Sequence, residues 1–366
     1  MYSKPTLKHL KPYAQGKQTD EIKTAYNLER VVKLSSNENP YGYSEKIKEF
    51  FASYVPDFNV YPDGYATKLR QTVTDKLQIN ESQIVFGSGA DEMIQTICRA
   101  FLSPEVNTVM AKPTFTQYKQ GSVIEGATVK EIPTQNGYHD LDKMLQAIDD
   151  ETSVVWICSP DNPTGTYLER ERLLAFLDQC PNNVLVVLDE AYYEFVSEAN
   201  TYDTLSLLES YENLILLRTF SKAYGLAGLR IGYGLMHESI ATKLNIVRGP
   251  FNTTTMAQDM ATIAFQDEQF IADVISQNQY VKDKFQLFLD DIGWSYYDTE
   301  TNFILVKTPM SGTDVFEYLI QNGFIVRPGE MLGYPDTVRI TIGLESEMEE
   351  LKKCLYKLHV QINKEV

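Results

Sequence analysis

The feature that most constrains this chain is a series of short, unbroken apolar runs, each closed by a polar or glycine-rich exit. "NVLVVLDEAY" is the clearest: five apolar residues, 184 to 188, run straight into Asp189. Unbroken runs of this length suit strands buried on both faces; half-exposed strands would alternate. Further runs are "QIVFGSG", "TVMAKP", "VKEIP", "SVVWICSP", "NLILLRTFS" and "LRIGYGL". Between them lie helical patterns such as "ADEMIQTICRAFL", "ERERLLAFLDQC" and "TLSLLESY". Strands alternating with helices predict an α/β fold, a mostly parallel sheet flanked by helices. The first forty residues are polar and irregular and end in "KLSSNENPYG", where Asn39-Pro40 and Gly42 mark a turn.

After residue 250 the character changes. One long helical tract, roughly 255 to 290, leads to "NFILVKT", a helix "TDVFEYLIQNG", a strand "FIVRP", a strand "TVRITIG" and a terminal helix. This is a smaller α+β unit. With 366 residues the chain is long enough for two units. The expected division is a large cofactor-binding domain over 45–255, with 1–44 and 256–366 forming an N-terminal segment and the small domain.

Charge excludes some partners. The formal net charge is -17, so a nucleic-acid or anionic-membrane partner, which needs a basic face, is not expected. No run approaches the ~18 apolar residues of a membrane span. The N-terminus lacks the apolar core of a signal peptide, which predicts a cytoplasmic protein. Cys98, Cys158, Cys180 and Cys354 are far apart and show no metal-ligand spacing with the four histidines. No metal site or disulfide is expected.

In parallel α/β sheets, ligands bind beyond the carboxyl ends of the strands. Four exits here carry chemistry. "GSGADE", Gly87 to Glu92, leaves a strand and opens a helix; small residues and free amides there favour an anion. It also fits an unliganded tight turn. It lacks the third glycine of a dinucleotide fingerprint, since Glu92 stands in that place. Asp189 is either a helix cap or a buried anion awaiting a cationic ring nitrogen. Tyr192 follows within reach of the same ring. "SPDNPTG" is a rigid turn that could also aim the Asn162 amide at a ring oxygen. In "TFSKAYGLAGLR", Lys222 follows Ser221, and Arg230 lies eight residues on. A lysine whose pKa is lowered by burial and nearby cations can form a Schiff base with an aldehyde. Ser221 and Arg230 would then hold a phosphate.

The order and spacing of "SSNENPYG", "YPDG", "GSGADE", "PTFTQY", "SPDNPTG", "LDEAYYEF", "RTFSKAYGLAGLRIGYG", "TNFILV" and "VRPGEMLGYPDTVRITIG" resemble the fold type I pyridoxal phosphate aminotransferases. Within these they are most similar to the histidinol-phosphate aminotransferases. The resemblance implies a set of roles. Lys222 carries the cofactor and shuttles the proton. Asp189 pairs with the pyridine nitrogen. Asn162 and Tyr192 contact the ring oxygen, and Phe115 stacks on the ring. Ala90, Asp91, Ser221 and Arg230 hold the phosphate. Tyr61 reaches that phosphate from the partner of a homodimer. Arg339, assisted by Arg327, binds the anionic tail of the substrate, while Tyr13, Asn39 and Asn302 line its pocket. The implied reaction passes an amino group between L-histidinol phosphate and the glutamate/2-oxoglutarate pair. Two positions depart from the commonest pattern: Phe115 replaces a tyrosine, and Asp161 stands where asparagine is frequent.

The same scaffold serves broad aromatic amino-acid aminotransferases and threonine-phosphate decarboxylases, which remain alternatives. A regulator with an aminotransferase-like domain would need a DNA-binding region. The short N-terminus shows no helix-turn-helix pattern.

Overall fold

The computed structural model describes residues 2–12 and 17–364. Among the described residues, twelve strands run in chain order: β1 Val32–Lys33, β2 Ile84–Gly87, β3 Asn107–Lys112, β4 Thr128–Pro133, β5 Thr152–Cys158, β6 Leu185–Asp189, β7 Leu214–Thr219, β8 Gly232–Met236, β9 Phe303–Lys307, β10 Phe324–Ile325, β11 Arg327–Pro328 and β12 Thr337–Thr341.

Seven of them form one sheet in the order β2-β8-β7-β6-β5-β3-β4. All run parallel except β8, which is antiparallel to both neighbours. The unbroken apolar runs have a simple physical origin. Val155 and Ile157 of β5 enter one core with Val186, Leu188, Leu214 and Leu216. Val154, Trp156 and Cys158 enter the opposite core with Leu185, Val187, Ile215 and Leu217. Successive side chains point to opposite faces, and helices bury both faces.

A three-stranded antiparallel sheet, β11-β12-β9, and a parallel pair, β1-β10, belong to a second core. Val32 and Leu34 from the chain start pack there with Phe285, Ile304, Val338 and Leu355. The first forty residues are therefore less irregular than their composition suggests. They include a helix, Thr19–Tyr26, as well as β1.

Two other expectations are corrected. The helical tract is two helices, Thr255–Gln266 and Glu268–Asp291, broken at Asp267, whose carboxylate is held by Ser44 and Lys46. "FIVRP" is two strands, because the chain switches partners at Val326: β10 pairs with β1 and β11 with β12. The first of the two helices places Ala257, Met260, Ala261 and Phe265 in the large core. The second supplies Val281, Phe285 and Leu289 to the small one. Among the described residues, no helix is long and apolar enough to cross a membrane.

Candidate active site

β5, β6 and β7 are consecutive in the sheet, so their carboxyl ends bring Asn162, Asp189 and Lys222 to one edge. β2 is one strand further off. The reversed β8 fills that gap and starts at this edge, delivering Arg230 just before Gly232. Strand direction is not visible in an apolar run, so this delivery is a finding of the structure.

Asp189 is 3% exposed. Tyr118 Oη donates to its Oδ2 at 2.7 Å, and Ala191 N–H to its Oδ1 at 3.0 Å. Both donors are neutral. Burial pushes its pKa up to about 6, against the pull of these two bonds. A carboxylate built into a strand end without a bonded cation fits a cationic ligand atom there. Tyr118 is fully buried and stacked on Trp156, with centroids 4.9 Å apart. It was not foreseen from the sequence, where it reads as one more aromatic in "PTFTQY".

Lys222 Nζ donates to the Ser36 carbonyl at 3.1 Å and lies 5.6 Å from the centre of the Tyr192 ring. Burial first, then Arg339, pulls its pKa down to about 8, with Arg230 acting in the same direction. The neutral amine that a nucleophile requires is thus far more accessible near physiological pH than in an ordinary lysine.

Tyr192 is buried, and its hydroxyl pKa is raised, chiefly by that burial. The hydroxyl oxygen accepts from Asn37 Nδ2 at 2.9 Å and from Asn162 Nδ2 at 3.5 Å. Asn162 Oδ1 accepts in turn from Arg339 at 2.5 Å, and the other arm of Arg339 donates to the Ser35 carbonyl at 2.9 Å. The Asn162 turn is stiff. Gly165 has φ +88°, and a Cβ there would lie 2.1 Å from Thr299 Oγ1. The buried Asp161 carboxylate beside Asn162 accepts from the Thr114 and Thr164 hydroxyls and bonds His139.

The anion cradle is equally built. The helix Ala90–Phe101 starts after Gly89, whose φ is +82°. A Cβ on Gly89 would meet the Arg230 guanidinium at 2.5 Å, so only glycine lets that cation sit against the helix start. Arg230 is itself left-handed (φ 56°) and donates to Ser221 Oγ at 3.4 Å. Its other arm lies 3.6 Å from the Asp91 carboxylate. Free N–H groups at Ala90 and Asp91, the Ser221 hydroxyl and Arg230 could together hold a phosphate.

Arg327 and Arg339 are direct cross-strand partners on β11 and β12, so both point to one sheet face. Phe115 is half-buried and edge-on to Tyr118 at 5.5 Å. Asn39 fixes the loop of the lysine by donating to the Ala223 carbonyl at 2.8 Å. Asn302 is 1% exposed, and its amide donates to the Asn37 carbonyl at 3.1 Å; it supports Asn37 from behind. Tyr61 stands away from these groups, 79% exposed and stacked on Phe251. Tyr13 lies outside the described residues.

The site thus offers a deprotonable amine, a buried anion, an oriented phenol and amide, an anion cradle and two further cations. These residues fit pyridoxal phosphate: Asp189 toward its ring nitrogen, Lys222 toward its aldehyde, and the Gly89 cradle toward its phosphate. They suit chemistry at an amino-bearing carbon.

Comparison with known proteins agrees. The family model for aminotransferase class I and II matches residues 29–355. The chain is 56% identical over 356 residues to histidinol-phosphate aminotransferase 2 of Oceanobacillus iheyensis, covering 97% of this chain and 98% of that one. It is 48% identical over 359 residues to histidinol-phosphate aminotransferase of Bacillus subtilis, covering 98% and 100%. Its fold matches the crystal structure of histidinol-phosphate aminotransferase from Sinorhizobium meliloti in complex with pyridoxal-5'-phosphate. That match has a TM-score of 0.89 and 24% identity, over 98% of this chain and 97% of the other.

Proposed function

The chain belongs to the class I and II aminotransferases, and from that premise we propose that it transfers the amino group between L-histidinol phosphate and 2-oxoglutarate, with pyridoxal phosphate, in histidine biosynthesis. The observation that carries the substrate reading is the Arg327–Arg339 cross-strand pair beside Asn162. One guanidinium pair serves both the phosphate tail of one substrate and the distal carboxylate of the other.

The cofactor, when bound, supplies an electron sink for proton loss at the amino-bearing carbon. Everything else falls to the chain. Lys222 holds the cofactor covalently between turnovers and moves the proton at the substrate carbon. Asp189 pairs with the ring nitrogen. Tyr192 and Asn162 contact the ring oxygen, and Phe115 covers the ring face. Ala90, Asp91, Ser221 and Arg230 retain the phosphate. Asn39 holds the lysine loop through Ala223, Asn302 holds the pocket wall through Asn37, and Tyr13 belongs to the substrate side.

The active form in this reading is a homodimer. Phe58, Val60, Tyr61, Tyr65 and Phe251 form an exposed aromatic and apolar surface of a kind that marks an interface. Tyr61 would complete the phosphate site of the partner. The large unit holds the cofactor, and the N-terminal and C-terminal segments form the small unit that brings the two arginines. Four buried free cysteines suit a reducing cytoplasm.

The test is the absorbance of the cofactor-loaded protein with L-histidinol phosphate and no keto acid. Loss of the cofactor band at low substrate concentration is expected. Loss only with phenylalanine would reassign the enzyme to aromatic amino acids, and release of carbon dioxide to a decarboxylase. Arg339→Ala should raise KM for both L-histidinol phosphate and 2-oxoglutarate; unchanged values for both would refute the shared anion site.

A further inference from the structure

Residues 35 to 37 form a strap that touches Arg339, Lys222 and Tyr192. The Ser35 carbonyl accepts from Arg339, the Ser36 carbonyl accepts from Lys222, and the Asn37 amide donates to the Tyr192 hydroxyl. Asn37 is the best-held residue of the three. It is 1% exposed and left-handed, with φ 55°, a conformation that asparagine tolerates better than most residues. Its N–H donates to Thr341 Oγ1 at 3.0 Å, the Thr341 hydroxyl donates back to its Oδ1 at 3.1 Å, and its carbonyl takes the Asn302 amide. In this arrangement the Asn37 oxygen takes the Thr341 hydroxyl and its nitrogen lies against Tyr192.

That orientation has a chemical result. A tyrosine hydroxyl has one hydrogen to give and two lone pairs to receive. Tyr192 Oη receives amide hydrogens from Asn37 and Asn162, and among the described residues it donates to none. Its own hydrogen is left to point into the crevice. We propose that Asn37 is a positioning residue of the reaction: it locks the Tyr192 hydroxyl as a donor aimed at the ring oxygen of the cofactor. Asn162 makes the longer contact, 3.5 Å against 2.9 Å, and its oxygen is committed to Arg339. Asn37 is therefore the stronger of the two locks. It also joins this lock to the small unit, because Thr341 lies on β12, two residues beyond Arg339.

This rests on the pyridoxal phosphate reading. The experiment is a pH titration of the absorbance of the loaded enzyme, with kinetics alongside, for the unmutated chain, Asn37→Gly and Asn37→Asp. Glycine keeps the left-handed backbone and removes the amide. Aspartate keeps the shape and turns the donor into an acceptor that captures the tyrosine hydrogen. A donor on the ring oxygen draws charge from it and makes the neighbouring nitrogen less basic. Asn37→Asp should therefore move the titration midpoint upward by roughly 0.5 to 1 pH unit and lower kcat about tenfold, the scale of one hydrogen bond, with KM nearly unchanged. Asn37→Gly should move both less. In a Tyr192→Phe background neither substitution should move the midpoint further.

An unmoved midpoint in Asn37→Asp, or an equal shift in the Tyr192→Phe background, would overturn the role of Asn37 alone. A chain that never acquires a cofactor band, or whose Lys222→Ala variant keeps the pH-dependent shift of that band, would overturn the reading beneath it.

Discussion

Asp189 and Glu190 are neighbours in sequence and both buried, and β7 with its exit carries two cations, Arg218 and Lys222. Glu190 is closed. Arg218 Nε donates to it at 2.9 Å, Thr204 takes another arm of that arginine at 3.2 Å, and the Tyr193 ring covers the guanidinium at 4.0 Å. Burial works against the charge of Arg218, but Glu190, with Tyr233 and Tyr193, more than offsets it and the arginine pKa rises. Asp189 and Lys222 are open. Each is displaced by burial toward its neutral form, Asp189 up to about 6 and Lys222 down to about 8. The first pair has found its partner within the chain, whereas the second pair is held for a partner from outside.

The comparison can be broken most sharply at Lys222. Lys222→Ala should lower transamination by about ten-thousandfold or more, while thermal unfolding of the cofactor-free protein shows no loss of stability. A destabilised variant would mean that the open pair also serves the fold. At the closed pair the effect should reverse. Arg218→Ala leaves Glu190 buried and alone, and chemical denaturation should show a loss of about 3–5 kcal/mol.

Asp189→Asn should go the other way, raising the stability of the cofactor-free protein at pH 7 by about 1–3 kcal/mol. The sign follows from its raised pKa. The folded protein holds the proton more tightly than the unfolded chain, so stability is highest below about pH 4 and falls as pH rises through about 6. Asparagine removes that slope, and so should the loaded cofactor; a slope that persists in Asp189→Asn would assign it elsewhere. The smallest effect belongs to Phe115→Tyr. Stacking needs only a ring face, and kcat/KM should change by less than about threefold.

The sheet was legible because burial on both faces leaves a local signature, and the chemical residues sit within four positions of the runs that carry them. Lys222, Asp189 and Asn162 could be read this way. Asn37 could not. Its partners Tyr192, Asn302 and Thr341 lie 155, 265 and 304 residues away, and its neighbourhood in "SSNENPYG" reads only as a turn. Tyr118 was hidden similarly, 71 residues from Asp189. The reversal of β8 was invisible, because apolar periodicity carries no direction. Phase and spacing reveal elements, while partners that meet only through the fold leave no local trace.

The strap has a consequence for the newborn chain. Every strand of the seven-stranded sheet lies between residues 84 and 236. The strap, in contrast, is fastened through the adjoining Leu34 by residues made much later: Leu34 N–H to the Ile325 carbonyl, and Thr341 N–H to the Leu34 carbonyl. At ribosomal speeds of about 5–20 residues per second, roughly 5 to 20 s pass between translation of the last sheet strand and that of Thr341. Throughout that interval Asn37 lacks its clasp and β12 with Arg339 is unfinished. The reactive lysine is assembled early, but the enclosure that gives it selectivity closes only after Thr341 has been made.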